Sequence, residues 1–503
     1  MPRARLLLSF AFILLLSAGC NQTGMSPNSS NSTAQAGQVS LSMTDDPPNG
    51  VTVLFFQIDL TAAYLTPSMG STNASLLNNN TPVQVDVTQL QAISAFLSTA
   101  NVPTGSYKSL NLTFANPQLV IFNESDQAIA STCPLNTVCQ LTPSLDNPSS
   151  LTFSSSPFPV SVAQNMPLGF LLDFHLNQVI QSDLSVNLAV SNGVTVNELP
   201  SAPPFGFPRF GFLAGTVETV NSNPTQFTLQ TRDGRTFTID VNSSTSYQNF
   251  PTSICTMSAF SCLASGQMVQ VQVANVQMDG SLVAAEVSYV QAGTHQVVLG
   301  EVIGLNTANG TSVMKLLLHW SPNAGLLPFG GVASVTVSPT ATFSVDSNNV
   351  TIPSGLSFSS ASDLLVGQQV SVDVVAGSAT KSAISRWAPH SVSFTTDSIE
   401  LEPSQITGSI AAINTSASSF TITTFPNFFA SWSQDSWPSW TPMTITVETT
   451  SQTTYQGFGT DSFSGLTTNS MVSVRGWLFS TPSGATPSTQ VAEIVLGRPQ
   501  RFF

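Results

Sequence analysis

GTVETVN at Gly215–Asn221, GEVIGLN at Gly300–Asn306 and GSIAAIN at Gly408–Asn414 are three copies of one local pattern. Each is a glycine, a run of alternating apolar side chains and an asparagine. Alternation with period two is the signature of a half-buried strand, and asparagine suits the turn that ends it. The pieces that follow keep the same order. STSYQNF (Ser244–Phe250), TATFSV (Thr340–Val345) and TTYQGF (Thr453–Phe458) come next. GQMVQVQV from Gly266, GQQVSVDV from Gly367 and NSMVSVRG from Asn469 come later, and LVAAEV, TKSAIS and QVAEIV close the units. Such a recurrence is too long for a solenoid and reads as repeated domains. Each unit offers about five strands, enough to close a small barrel of the oligosaccharide/oligonucleotide-binding type. The expected boundaries are 213–293, 294–403 and 404–499.

Upstream, residues 39–199 carry other apolar and alternating runs: VSLSM, VTVLFFQIDL, VQVDV, LNLTFANPQLVIF, GFLLDFHL and LSVNLAV. Turn residues separate them, as in a β-sandwich. One stretch departs from this. TQLQAISAFLSTA places Leu90, Ile93, Phe96 and Leu97 at helical spacing, and Thr88 with Gln91 has the form of a capping box. It predicts one short helix. The expected fold class is therefore all-β: an N-terminal sandwich with one short helix, a Pro/Phe-rich linker over 200–212, and three tandem small barrels.

SMTDDP at Ser42–Pro47, VDV at Val85–Val87, PTGSY at Pro103–Tyr107 and LDF at Leu172–Phe174 occur in that order. The set is similar to a family of bacterial envelope lipoproteins whose N-terminal domain is domain of unknown function 4382. Its usual pattern is T-D-x-P, V-D-L, P-x-G-x-Y and L-D-F, so Val87 stands where leucine is usual. The resemblance covers about a third of the chain. It implies a β-sandwich on the cell envelope and brings no activity. The three later units resemble another envelope repeat of unknown function, often found after the first domain.

The N-terminus sets location. Arg3 and Arg5 precede an apolar run over Leu6–Leu16, then Ser17, Ala18, Gly19 and Cys20. That is the layout of a secretory signal, and the run is too short for a permanent span of ~20 residues. The ending resembles the lipobox of bacterial lipoproteins, in which the cysteine is acylated, although Ser17 stands where leucine is usual. Residues 1–20 are thus expected to be a lipoprotein signal peptide, with Cys20 the lipidation site. An ordinary secretory signal is the alternative. Asn21 after the cysteine favours an outer-membrane anchor. Residues 21–38 hold no Val, Ile, Leu or aromatic side chain, so they cannot build a core. As a flexible tether they would reach about 23 Å on average.

Only 8% of the 503 residues are charged and the net charge is −14. Twelve lysines and arginines are too few for phosphate neutralisation, so no nucleic-acid partner is expected. Beyond Cys20, four cysteines form two close pairs, Cys133/Cys139 and Cys255/Cys262. In an oxidising envelope compartment these predict two local disulfides.

No G-x-S-x-G elbow, HExxH, phosphate loop or EF-hand loop occurs. The histidines at 175, 295, 319 and 390 are scattered, and His175, alternating with Phe174, is expected to face solvent. Catalytic residues, cofactors and a metal are not expected. Asp45, Asp46, Asp86 and Asp173 could converge on a cation such as Ca²⁺, yet turn and strand-end roles suit them equally.

The join between the second and third strands of the repeat grows along the chain. In the first unit it is a tight Asp233-Gly234 turn. It becomes HWSPNAGLLPFGG from His319 and then FPNFFASWSQDSWPSW from Phe425. It thereby gains Trp320 and Phe329, then Phe425, Phe428, Phe429, Trp432, Trp437 and Trp440. Long loops tend to carry function, and indoles suit sugar faces or protein partners. Packing of the loop on its own barrel is the alternative. The expected function is a non-enzymatic, membrane-anchored module that binds a glycan, envelope polymer or envelope protein. The alternative is an envelope hydrolase with an unrecognised site. A third reading, an outer-membrane barrel ending at Phe503, is opposed by Pro499 and by only five tyrosines for aromatic girdles.

Overall fold

The computed structural model describes the chain from Ala36 to Gly497 apart from residues 47–51, 78–80, 91–94, 124–132, 135–137, 165, 167, 182, 200–211, 232–233, 251–254, 256–258, 278, 293–294, 309–310, 322–326, 328, 348–349, 382–391, 425–443 and 481–487. It is all-β. Residues up to 199 form two sheets. One runs in the order Val194–Leu199, Leu168–His175, Ala36–Asp46, Ala95–Pro103. The other is built on the long antiparallel partners Thr52–Pro67 and Gly105–Phe122, with Val83–Asp86 and several short strands along them. Leu41, Phe170, Leu172 and Phe174 of the first sheet pack on Phe56, Ile58, Leu110 and Phe114 of the second. Phe114 meets Phe174 edge-on across the layers at 5.6 Å. This is a sandwich held by the alternation of its strands.

The predicted helix over 88–100 does not form. A 3-10 turn covers Val87–Leu90, and Ala95–Pro103 is a strand paired antiparallel with Ala36–Met43. The Thr88 hydroxyl donates to Asp86 Oδ1 at 2.5 Å, and Gln91 of the expected capping box lies outside the described residues. The first sheet needs a partner for the outer edge of Ala36–Asp46, and a ladder of backbone hydrogen bonds outweighs a weak helical period. Leu97 still reaches the core, now as a strand residue. The α-helical turn lies instead at Leu176–Val179. His175 is also corrected. It is buried, because the chain folds back over the strand end and Gly193 O accepts its backbone N–H at 2.8 Å.

The PTGSY motif has a local cause. The Tyr107 hydroxyl donates to Pro103 O at 2.8 Å, closing the turn that leads into the longest strand.

The three repeats are three closed five-stranded barrels. In chain order their strands are Phe212–Ser222, Thr225–Thr231, Thr236–Asp240, Met268–Val276 and Leu282–Tyr289; then His295–Ala308, Thr311–Trp320, Val332–Val345, Gln369–Val374 and Val392–Glu402; then Ser404–Asn414, Ser419–Thr424, Thr444–Gln456, Met471–Phe479 and Thr489–Gly497. In each barrel the third strand pairs parallel with the fifth, and the fourth closes onto the first. The repeated residues serve this closure. A Cβ on Gly215 or Gly300 would come within 2.3 or 2.5 Å of a carbonyl oxygen of the neighbouring strand. Gly266, Gly367 and Asn469 share a positive φ, the conformation glycine and asparagine tolerate best. Their N–H groups donate to Val217, Val302 and Ile410 O in the three barrels.

The domains pack against one another. VLFFQID at Val53–Asp59 is buried on both faces, which is why it reads as an almost continuous apolar run. Phe56 and Ile58 face the sandwich core, while Leu54 and Phe55 join Val120, Phe122, Ile303 and Leu317 in a second cluster shared with the middle barrel. Trp477, Phe479 and Val491 of the third barrel enter the core of the second. Both disulfides are present, Cys133–Cys139 and Cys255–Cys262.

Candidate ligand site at the meeting of four domains

The strand Val83–Asp86 turns Val83 and Val85 into the sandwich core and leaves Gln84 and Asp86 on the outer face. Gln57, opposite Asp86 in the neighbouring strand, shares that face. These side chains form one wall of a cavity of about 340 Å3. The other walls come from all three barrels: Arg235 and Gln270 of the first, His319, Trp320 and Glu402 of the second, Gln405 and Arg475 of the third.

His319 is the hub. Its Nδ1 lies 2.8 Å from Asp86 Oδ2, its Nε2 3.7 Å from Glu301 Oε2, and Gln89 Nε2 stands 3.2 Å from the same ring nitrogen. Gln369 Nε2 donates to Gln89 Oε1 at 2.8 Å, and Gln405 donates to the Gln89 carbonyl. One glutamine of the sandwich is thus tied to the second and third barrels. Arg235 Nη1 donates to Leu97 O, which ties in the first.

Burial alone would discharge the His319 ring. Hydrogen bonds to Asp86 and Glu301, and their charges, outweigh it and push the imidazole up to about 9. Near neutral pH the ring therefore carries its proton. Gln89 then meets it with the amide oxygen, and the Gln369–Gln89 relay reverses with that turn. Burial raises Glu301 above the usual carboxylate range against the pull of His319. Glu402 is pushed well above that range by burial, then by Asp346 and Glu400.

Arg475 is paired with Glu493, and beyond these groups and Arg235 the lining is neutral. Gln57 is 4% exposed. Its side-chain amide has no hydrogen-bond partner among the described residues, and the same holds for Gln270 and the Trp320 indole. Chemically, the site can present amide donors and acceptors beside an indole face. The acid–imidazole pair can hold a proton, but the ring contacts only Asp86, Glu301, Gln89 and Phe55 among the described residues. Among the described residues no hydroxyl or thiol is hydrogen-bonded to Nε2 to be activated.

Of the residues singled out in the sequence, Trp320 lines this cavity. Cys20, Phe425, Phe428, Phe429, Trp432, Trp437 and Trp440 lie outside the described residues. Asp86 does not join a cation site with Asp173: it lies on the other sheet of the sandwich and is engaged by Thr88 and His319. The side chains of Asp45 and Asp46 are outside the described set. Among the described residues, no group of three or more His, Cys, Asp or Glu side chains is placed to hold a metal. Nor is any described helix long and apolar enough to cross a membrane. Reading the sequence missed His319, Glu301, Gln89 and Gln57. The alternation of VQVDV does put Gln84 and Asp86 on an outer face, but nothing local names their partners.

Comparison with known proteins gives an architecture without an activity. Residues 36–190 match a domain of unknown function (DUF4382), and residues 214–288, within the first barrel, match a second domain of unknown function (DUF5666). No curated protein matches the chain.

Proposed function

We propose that the chain is a lipid-anchored protein of the bacterial cell envelope that binds a glycan, an envelope polymer segment or an envelope partner without transforming it. The observation that carries this reading is the convergence of all four domains on one cavity. Ligand sites favour such domain junctions. The apolar run ending in Ser17-Ala18-Gly19-Cys20 supports acylation and an outer-membrane location.

A second reading, an envelope hydrolase, has one observation in its favour: the buried Asp86–His319 pair at the cavity wall. Against it, the far ring nitrogen faces Gln89 and Glu301. Both readings meet in one experiment. The purified protein is incubated with soluble peptidoglycan fragments and with lipopolysaccharide-derived oligosaccharide, then dialysed to equilibrium. Saturable retention with ligand mass unchanged supports binding. Loss of intact ligand with appearance of cleaved product supports the hydrolase.

A further inference from the structure

We propose that the four-domain cavity recognises a neutral saccharide unit, held through its hydroxyls by the side-chain amides of Gln57 and Gln270 and covered by the Trp320 indole. This rests on the binding reading above and narrows it to a ligand class.

Gln57 carries the argument. It is more than nine-tenths buried, lines the cavity and has no protein partner for its amide. Its amide opens onto the cavity rather than onto protein, and a polar group so placed without a protein partner is a feature to be explained by what it faces. The neighbouring positions show why an amide there is not a packing accident. Phe55, two residues before Gln57 and as fully buried, is apolar and packs against the middle barrel. An apolar side chain at position 57 would fit the interface pattern equally well.

An amide presents a donor and an acceptor side by side. Adjacent hydroxyls, each able to donate and accept, are its complement. Gln270 repeats this chemistry from the first barrel, and Trp320 adds one N–H donor with an apolar ring face. The apolar face suits the C–H face of a sugar ring.

The charged groups of the cavity are already engaged inside the protein. Asp86 is held by His319 and Thr88, Arg475 by Glu493, Arg235 by the Leu97 carbonyl and the Phe237 ring, and Glu402 by Ser371. An ionic ligand would have to displace one of these contacts from a buried group, which is costly. The volume, about 340 Å3, lies at the small end of the ~300–1,000 Å3 of small-molecule pockets. It suits one or two sugar rings.

The test is calorimetry on the purified protein with glucose, galactose, N-acetylglucosamine and their β-linked dimers, alongside glucuronate, glucose 6-phosphate and a neutral tripeptide. A neutral sugar should bind saturably. Gln57→Met and Gln270→Met should each weaken it at least ten-fold. Gln57→Met should leave the melting temperature unchanged or raised, because no protein hydrogen bond is lost and apolar area is gained. Binding of glucuronate, glucose 6-phosphate or the tripeptide in place of the neutral sugars would overturn the ligand class while leaving the binding reading standing. Neutral-sugar binding that survives Gln57→Met at full strength would overturn the assigned contact. Silence across the whole panel, together with no retention of envelope fractions in dialysis, would overturn both readings.

Discussion

His319 Nδ1 and Asp86 Oδ2 stand 2.8 Å apart although 233 residues separate them in the chain. The pair joins the sandwich to the middle barrel, and Glu301 on the other side of the ring keeps the imidazole charged. The protonated ring thus acts as a clasp between two domains.

That clasp has a pH signature. The folded pKa is raised, to about 9 from the ordinary 6.5. Its stabilisation is therefore complete below about pH 6.5 and is lost as pH rises through 9, by at most about 3 kcal/mol. The melting temperature should fall over that window. In His319→Gln the fall should vanish, at the cost of a lower melting temperature near pH 6.

A second group acts in a lower window. Burial, then the neighbouring Asp346, push Glu400 up to about 7. A raised carboxyl favours the fold below its ordinary pKa, and the benefit is lost as pH rises towards 7. Glu400→Gln should therefore leave the melting temperature at pH 4.5 nearly unchanged and raise it at pH 8, where the gain in stability is up to about 3 kcal/mol. Equal shifts at both pH values would contradict this.

Docking of the sandwich on the middle barrel depends on Gly330. Its φ is +67°, and a Cβ there would come within 2.7 Å of the Phe55 ring. Its carbonyl also accepts from Gln140 Nε2 at 2.6 Å. Gly330→Ala should destabilise by about 1 kcal/mol or more, read as a lower urea midpoint. A wild-type midpoint would show that the interface yields easily.

Trp477 belongs to the third barrel yet is buried in the core of the second. Trp477→Ala should cost about 3–5 kcal/mol. Because the side chain bridges two barrels, their thermal transitions should separate in calorimetry. One unchanged transition would mean that the barrels are coupled elsewhere.

Acylation at Cys20 is checked by metabolic palmitate labelling and fractionation. Wild type should label and sediment with membranes, whereas Cys20→Ala should do neither. A labelled Cys20→Ala protein would move the anchor to another residue.

The all-β class, the three barrels and the two disulfides were legible in the sequence, because each rests on short-range information. Alternation of side chains declares a strand's two faces. The glycines at 215 and 300, and the Gly/Gly/Asn set at 266, 367 and 469, mark where backbones approach closely or turn left-handed. The disulfides close over six and seven residues. The stretch 88–100 was misread because its helical spacing is weaker than the demand of a sheet edge for hydrogen-bonded pairing. The site was decided by tertiary structure alone. Its neutral polar residues are mostly glutamines, and in a chain with 8% charged residues a glutamine on a strand looks like ordinary surface. Domain docking turned that surface inward and brought Gln57, Gln270, His319 and Gln405 from four domains to one cavity. Alternation specifies which face a residue occupies, but carries no information about which distant face will cover it.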